Sequence, residues 1–384
     1  MNGKLWQWLC IATMGLALVA CGGDEEAGDG NGDANGTATT HQTGGAHAAA
    51  DLPDLPAAPF TDRAVMAMWI DADMLSPQVL RKSVQAIFDA APDVGAAEAM
   101  QQMQQEAMMS LGMAQPVYDN LTRAGVKGML VVAEPGDPAE DMGAGDPMVD
   151  GKAYTMLHVA EGTTAEQVRS AMMTIAQGMG QPTEDVEQME LTAVGDQWLA
   201  ISDPRSPMSA VPAGGTQTNA DAFAGKLAHA GGSHTMIVIN ATDQFRQQVA
   251  GMAENPMIAQ TMGPAAAFLG DLESMTTGLS LGDQPGLRLS LTVLNPQTAK
   301  EIKEQLDGLM ANTRMQMRQQ VEQQPELQPI IDQLQQLQVN VDGATLSLGL
   351  NTKQLGALAA ISALQQQQAA SMDDADWDEV DDGM

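Results

Sequence analysis

The chain has 384 residues, 44% apolar and 17% charged, with 17 Lys and Arg against 49 Asp and Glu for a formal net charge of −32. Such an excess of acid excludes a basic nucleic-acid binder working through phosphate contacts, and the apolar fraction excludes a chain disordered throughout. Five His, two Cys and few aromatic side chains beside 29 Met leave little equipment for acid–base or nucleophilic catalysis, so no enzyme and no cofactor is expected.

At the start, residues 1–20 carry one cation, Lys4, then an apolar stretch from Leu9 to Ala20 ending in small residues before Cys21. This is the pattern of a secretory signal peptide. The stretch is too short to cross a bilayer as a stable helix, and no other run in the chain reaches the length of a span. The ending Leu18-Val19-Ala20-Cys21 before Gly22-Gly23 resembles the lipobox of bacterial lipoproteins. That resemblance implies cleavage before Cys21, acylation of its thiol, and anchoring by lipid in the cell envelope. The location implied is the outer membrane, or the outer leaflet of the cytoplasmic membrane, facing the periplasm. By analogy with proteobacterial sorting, Gly22 in place of an Asp favours the outer membrane. Each buried methylene of an acyl chain contributes about 0.8 kcal/mol, so more than one chain holds stably. Cys10 leaves with the signal, and a single remaining Cys forms no disulfide within the chain.

Residues 21–62 are Gly, Ala, Asp, Thr and Asn with no Lys or Arg, a composition that predicts a disordered acidic stalk. As a Gly-rich coil of about forty residues it spans roughly 35 Å. A strand is expected over Ala64–Ile70, leading into a helix near Asp73 to Leu75. A Met, Ala and Gln helix follows from Gly95 to Leu111, then a strand over Gly125–Ala133 and a Gly, Pro and Asp loop from Pro135 to Asp150. Residues 153–159 alternate as a strand does before a helix opening at Thr163 or Thr164, the natural N-caps. The hairpin Met189–Val194 and Trp198–Ser202 turns at Gly195-Asp196.

After a short helix over Ala222–Ala230, much of this order recurs. Strands are expected over His234–Ile239, Ser274–Leu281 and Leu287–Val293. A helix then opens at Pro296, and a hairpin turns at Asp342-Gly343, a strong two-residue turn signal. At a constant offset of 134 residues, Leu157 matches Leu291, Val159 matches Val293, Ala165 matches Ala299, Val168 matches Ile302 and Met172 matches Leu306. A Gln-rich helical insertion, Arg314–Gln338, is interrupted by Pro325 and Pro329. The tail, 372–384, is acidic and expected to be disordered.

The fold class expected is α+β: two similar halves, 63–220 and 221–371, each a mostly antiparallel sheet with helices packed on one face. This layout resembles a family of uncharacterised bacterial envelope proteins built from two such halves joined by a short helix. That resemblance brings no known active site.

Candidate chemistry is sparse. Gly278-Leu-Ser280-Leu-Gly282 matches a nucleophile elbow in letters, but a strand rather than a helix follows and no His lies after Ser280. Asp71 and Asp73 are the paired carboxylates an enzyme would need in a cleft. His41 and His47 lie in the stalk, His158 shares a strand face with Tyr154 and Met156, and His229 and His234 flank a Gly-rich loop. Asp374, Asp376 and Asp378 alternate as in a calcium loop but lack its Gly and closing Glu. Methionine is the anomaly. Met100, Met103, Met108, Met109 and Met113 form a run read as core or partner-binding stripe, or as a binder of an apolar ligand or of Cu(I), which thioethers favour. No protein metal site is assigned. The function expected is a lipid-anchored structural or binding module, with an envelope protein or a small apolar ligand as its partner.

Overall fold

A computed structural model of the chain describes residues 52–135, 152–202, 210–212, 214–230, 233–243, 246–247 and 270–375. The signal peptide, Cys21, His41, His47 and the loop after Pro135 lie outside them, as do Asp376, Asp378 and the rest of the tail. In chain order the elements begin with β1 (Met66–Asp71), a 3₁₀ turn (Ala72–Leu75), α1 (Pro77–Ala90) and α2 (Ala97–Arg123). β2 (Val126–Glu134) and β3 (Lys152–Val159) follow, then α3 (Ala165–Gly178), α4 (Glu184–Gln188), β4 (Glu190–Ala193) and β5 (Trp198–Ser202). Next come α5 (Gln217–His229), β6 (Thr235–Asn240), β7 (Leu272–Ser280), β8 (Gly286–Val293) and α6 (Pro296–Gln323). A 3₁₀ turn at Pro325–Leu327, α7 (Gln328–Leu334), β9 (Asn340–Asp342), β10 (Thr345–Leu350) and α8 (Thr352–Ala375) complete the order.

Local chemistry sets the starts of α3 and α6. Thr164 caps α3 in a reciprocal capping box with Gln167, whose side chain accepts the Thr164 N–H at 2.8 Å. α6 opens on Pro296, with the Asn295 side chain accepting the Gln297 N–H at 2.8 Å.

Among the described residues all the strands join one antiparallel ten-stranded sheet in the order β4-β5-β3-β2-β1-β6-β7-β8-β10-β9. This corrects the expectation of one sheet per half. β1 and β6 would each be an open edge in a separate half, and pairing them removes both edges. The register there is centred on Met68 opposite Ile237, with Met66 opposite Ile239 and Ile70 opposite Thr235. Outward on one side a rung runs Ile70, Met129, Leu157, Leu199, Ala193. On the other it runs Ile239, Met275, Leu291, Leu346, Val341. Leu157 and Leu291, matched at offset 134, therefore hold corresponding rungs.

Helices lie on both faces, a second correction. One face presents Ala67, Trp69, Leu130, Val132, Met156, Trp198, Ala200, Met236 and Val238 to Phe223 and Leu227 of α5, and to Leu55 and Phe60 ahead of β1. The other face presents Leu157, Leu199 and Ile201 to Val168 of α3, and Leu291 and Leu346 to Ala299 and Ile302 of α6. β1, β3 and β5 are covered on both sides, which is why residues 67–70, 154–157 and 198–201 are all buried.

Two boundaries also move. The stalk expected over 21–62 overlaps the fold from Leu52 onward, because Leu55 and Phe60 are buried in the core and Trp198 Nε1 donates to the Asp54 carbonyl at 3.1 Å. The tail expected from 372 begins as helix, since α8 runs to Ala375. Of the residues paired at offset 134, Val168 and Ile302 are both buried, whereas Leu306 is exposed.

Candidate functional site

The methionine run falls on α2, and the helix geometry divides it. At about 100° per residue, Met100 and Met103 are roughly 60° apart, while Met109 lies about 180° from Met100. Met100 and Met103 accordingly turn inward, half-buried against a cluster formed by Val94, Ala96, Ile330 of α7 and Ala357, Ala360 and Ala363 of α8. Met108 and Met109 face solvent, 38% and 76% exposed. The side chain of Met113 is outside the described residues. The five are therefore not one site.

Where α1 ends and α2 begins, the chain turns through Pro92, Asp93, Val94 and Gly95. Gly95 has φ 75°, and its N–H donates to the Asp93 side chain at 3.2 Å. This corner frames a shallow groove of about 290 Å³, floored by Phe88, Ala91, Pro92, Val94 and Met100, with Asp89 and Asp93 at its rim. Of the predicted methionines, Met100 lines it. The lining is mixed, with Phe88, Pro92, Val94 and Met100 beside Asp89, Asp93, Gln101 and Gln104. Sequence reading missed Phe88, Pro92 and Val94. The Pro-Asp-Val-Gly turn between two helical patterns was the available signal.

The paired carboxylates have structural duties. Asp71 Oδ1 accepts the Asp73 N–H at 2.8 Å and caps the 3₁₀ turn. Burial pushes the Asp71 carboxyl up, aided by the charge of Asp73 and opposed by the Asp73 N–H and by His234. Asp73 accepts from the Tyr118 hydroxyl at 3.3 Å. His234 Nδ1 accepts the Leu281 N–H at 3.0 Å, tying the β7–β8 hairpin to the start of β6. Ser280 Oγ donates to the Gly286 carbonyl at 3.2 Å across that same hairpin, a strand-end role without the elbow's following helix. Among the described residues, no group of three or more His, Cys, Asp or Glu is placed to hold a metal ion.

Glu134 and Tyr154 are buried beside the core, and His158 is half-buried. Glu134 accepts from the Thr61 hydroxyl and pairs with the Tyr154 hydroxyl. The Tyr154 phenol is pushed up to about 12, first by burial and then by the Glu134 charge. His158 sits between two indoles, its ring centroid 5.1 Å from Trp198 and 6.1 Å from Trp69. Burial, then the Lys127 charge, holds its imidazole below the usual 6.5.

The fold therefore favours neutral His158, and the unfolded chain takes up the proton more readily. Its contribution to stability is complete above about pH 6.5 and declines as pH falls toward the folded value. Asp71 works in the opposite sense, favouring the fold as pH falls through the range above 3.8. Thermal melts are expected to show a His158 contribution that lowers Tm as pH falls below about 6.5, with His158→Phe flattening that slope. An equal slope in the variant would assign the titration elsewhere.

No protein-family model matches the chain, and neither a curated protein nor a solved structure matches it.

Proposed function

We propose that the chain is a lipid-anchored protein of the bacterial cell envelope whose α+β body acts as a structural or binding module rather than as an enzyme. What carries the reading is the place of the groove. The centre of the sheet is filled on both faces by side chains, and the groove lies outside it, at the α1–α2 corner. A body built this way leaves contact surface at that helical corner rather than on the sheet. The anchor is the lipid on Cys21. The described residues start at Leu52, and residues 22–51 lie between them and Cys21 in the sequence. No helix among the described residues is long and apolar enough to cross a bilayer.

The body is read as two similar halves that have diverged, a reading supported by the register centred on Met68 and Ile237 and by the corresponding rungs. On this reading the divergence lies on the face covered by α5. Leu130, Met156 and Ala200 on one side correspond to Thr276, Ser290 and Ser347 on the other. The second reading, a binder of an apolar ligand or Cu(I), is favoured on its apolar side by Phe88, Pro92 and Val94 beside Met100. Copper finds less support, because Met109 points away from Met100.

Replacing Cys21 with Ser tests the anchor. The variant is expected to move from the membrane pellet to the soluble periplasmic fraction, and its full retention with membranes would overturn the proposal.

A further inference from the structure

Methionine fills the surface as well as the core. Of the seven large apolar side chains exposed among the described residues, five are methionines: Met108 at 38%, Met109 at 76%, Met179 at 39%, Met275 at 36% and Met315 at 48%. They lie on α2, at the end of α3, on β7 and on α6. Met68, Met74, Met156 and Met236 are in contrast buried, Met156 at 0% and Met236 at 1%. A leucine at each exposed position would fill the same volume, so what methionine adds there is a reactive thioether.

We infer that the five exposed methionines are sites of oxidation to sulfoxide by hypochlorous acid, forming a sacrificial layer that spares the fold and its buried methionines. In the reaction, the sulfur lone pair takes chlorine from HOCl and releases hydroxide. Water then adds to sulfur as chloride leaves, and loss of protons gives the sulfoxide. One S–O bond forms, sulfur loses two electrons, and chlorine goes from the +1 to the −1 state. At an exposed position the new S=O is hydrated and costs little packing. At Met156 or Met236 it would stand in the core without a partner. Exposure thus sets both the order of attack and the tolerance of its product. The inference rests on the exposure pattern and not on the anchoring proposed above.

The test titrates the purified full-length protein with HOCl at neutral pH, quenches with free methionine, and maps each site by peptide mass spectrometry. Site-by-site reading keeps the faster cysteine thiols separate. Met109 and Met315 are expected to oxidise at least about ten-fold ahead of Met156 and Met236, with Tm and near-UV circular dichroism unchanged while the exposed set is consumed. A variant carrying leucine at 108, 109, 179, 275 and 315 is expected to lose its fold, and to oxidise its buried methionines, at a lower dose. If that variant fails to fold, Met109→Leu alone is expected to shift the dose in the same direction. Uniform oxidation of exposed and buried sites would overturn the inference, as would unfolding on exposed oxidation alone or a leucine variant that withstands the parent's dose.

Discussion

A valine at position 356 is expected to pry α8 from α1 and lower stability by about 3 kcal/mol, the upper end of ordinary overpacking. Gly356 lies where the two helices cross most closely. A Cβ there would stand 2.7 Å from Ala91 N, 2.8 Å from the Ala90 carbonyl carbon and 2.8 Å from Ile87 O. All three are backbone atoms and cannot swing aside as a side-chain end can. Relief requires the helices to separate. Separation uncovers Ala357, Ala360 and Ala363, each at 0% exposure, and the Val94 and Ala96 they cover. Since a domain's whole stability is about 5–15 kcal/mol, the loss is large. Urea unfolding followed by circular dichroism should show an earlier helical transition. Gly308→Ala supplies the control, because nothing lies within 4 Å of that Cβ and alanine suits a helix interior better by about 0.5–1 kcal/mol. The groove should suffer with the crossing, as Val94 and Met100 lose their backing. A variant that unfolds at the parent's urea concentration would show that the crossing has slack.

The strands were legible because alternation is local. Tyr154, Met156 and His158 point to one face and Thr155, Leu157 and Val159 to the other, and the hairpin turns carry their glycines at Gly195 and Gly343, with φ 69° and 59°. Which strands meet across the middle is not a local property. β1 and β6 join residues as distant as Met66 and Ile239, and no periodicity encodes that partnership. A partial signal was present in β1, where Met66 to Ile70 are apolar without a break, as in strands covered on both faces. Leu52, Leu55 and Phe60 were obscured by averaging. Each is isolated among Pro, Ala and Asp, so composition reads a stalk, while the core needs only those few apolar contacts to dock the segment. Of the candidate site, the pairing of Met100 with Met103 followed from their spacing. The groove did not, because its floor is the turn between two helices and its backing is α8, some 250 residues further along the chain.

Gly128→Ala should cost the fold about 2–3 kcal/mol, the upper part of the range for overpacking a core. The Trp69 indole lies directly across this glycine. A Cβ there would meet Trp69 Cη2 at 2.2 Å, Cζ2 at 2.5 Å and the Ile70 carbonyl oxygen at 3.0 Å. A side-chain contact alone is often relieved by a small rotation, so the outcome depends on what holds the ring. Trp69 is 3% exposed and meets Trp198, itself 6% exposed, edge to face at 6.1 Å. His158 closes the third side. The ring has nowhere to turn, so the strain passes to β1. There Trp69 stands opposite Met236 of β6 and opposite Leu130 of β2, and disturbance reaches both sides of the sheet. Combining Gly128→Ala with Trp69→Leu should recover part of the loss, because the methyl then enters space the indole has left. The double-mutant cycle is expected to give a coupling of about 1–3 kcal/mol in the favourable direction. Additive losses, or a single Gly128→Ala variant within about 1 kcal/mol of the parent, would mean the indole repacks freely and that this pair does not lock the centre of the sheet.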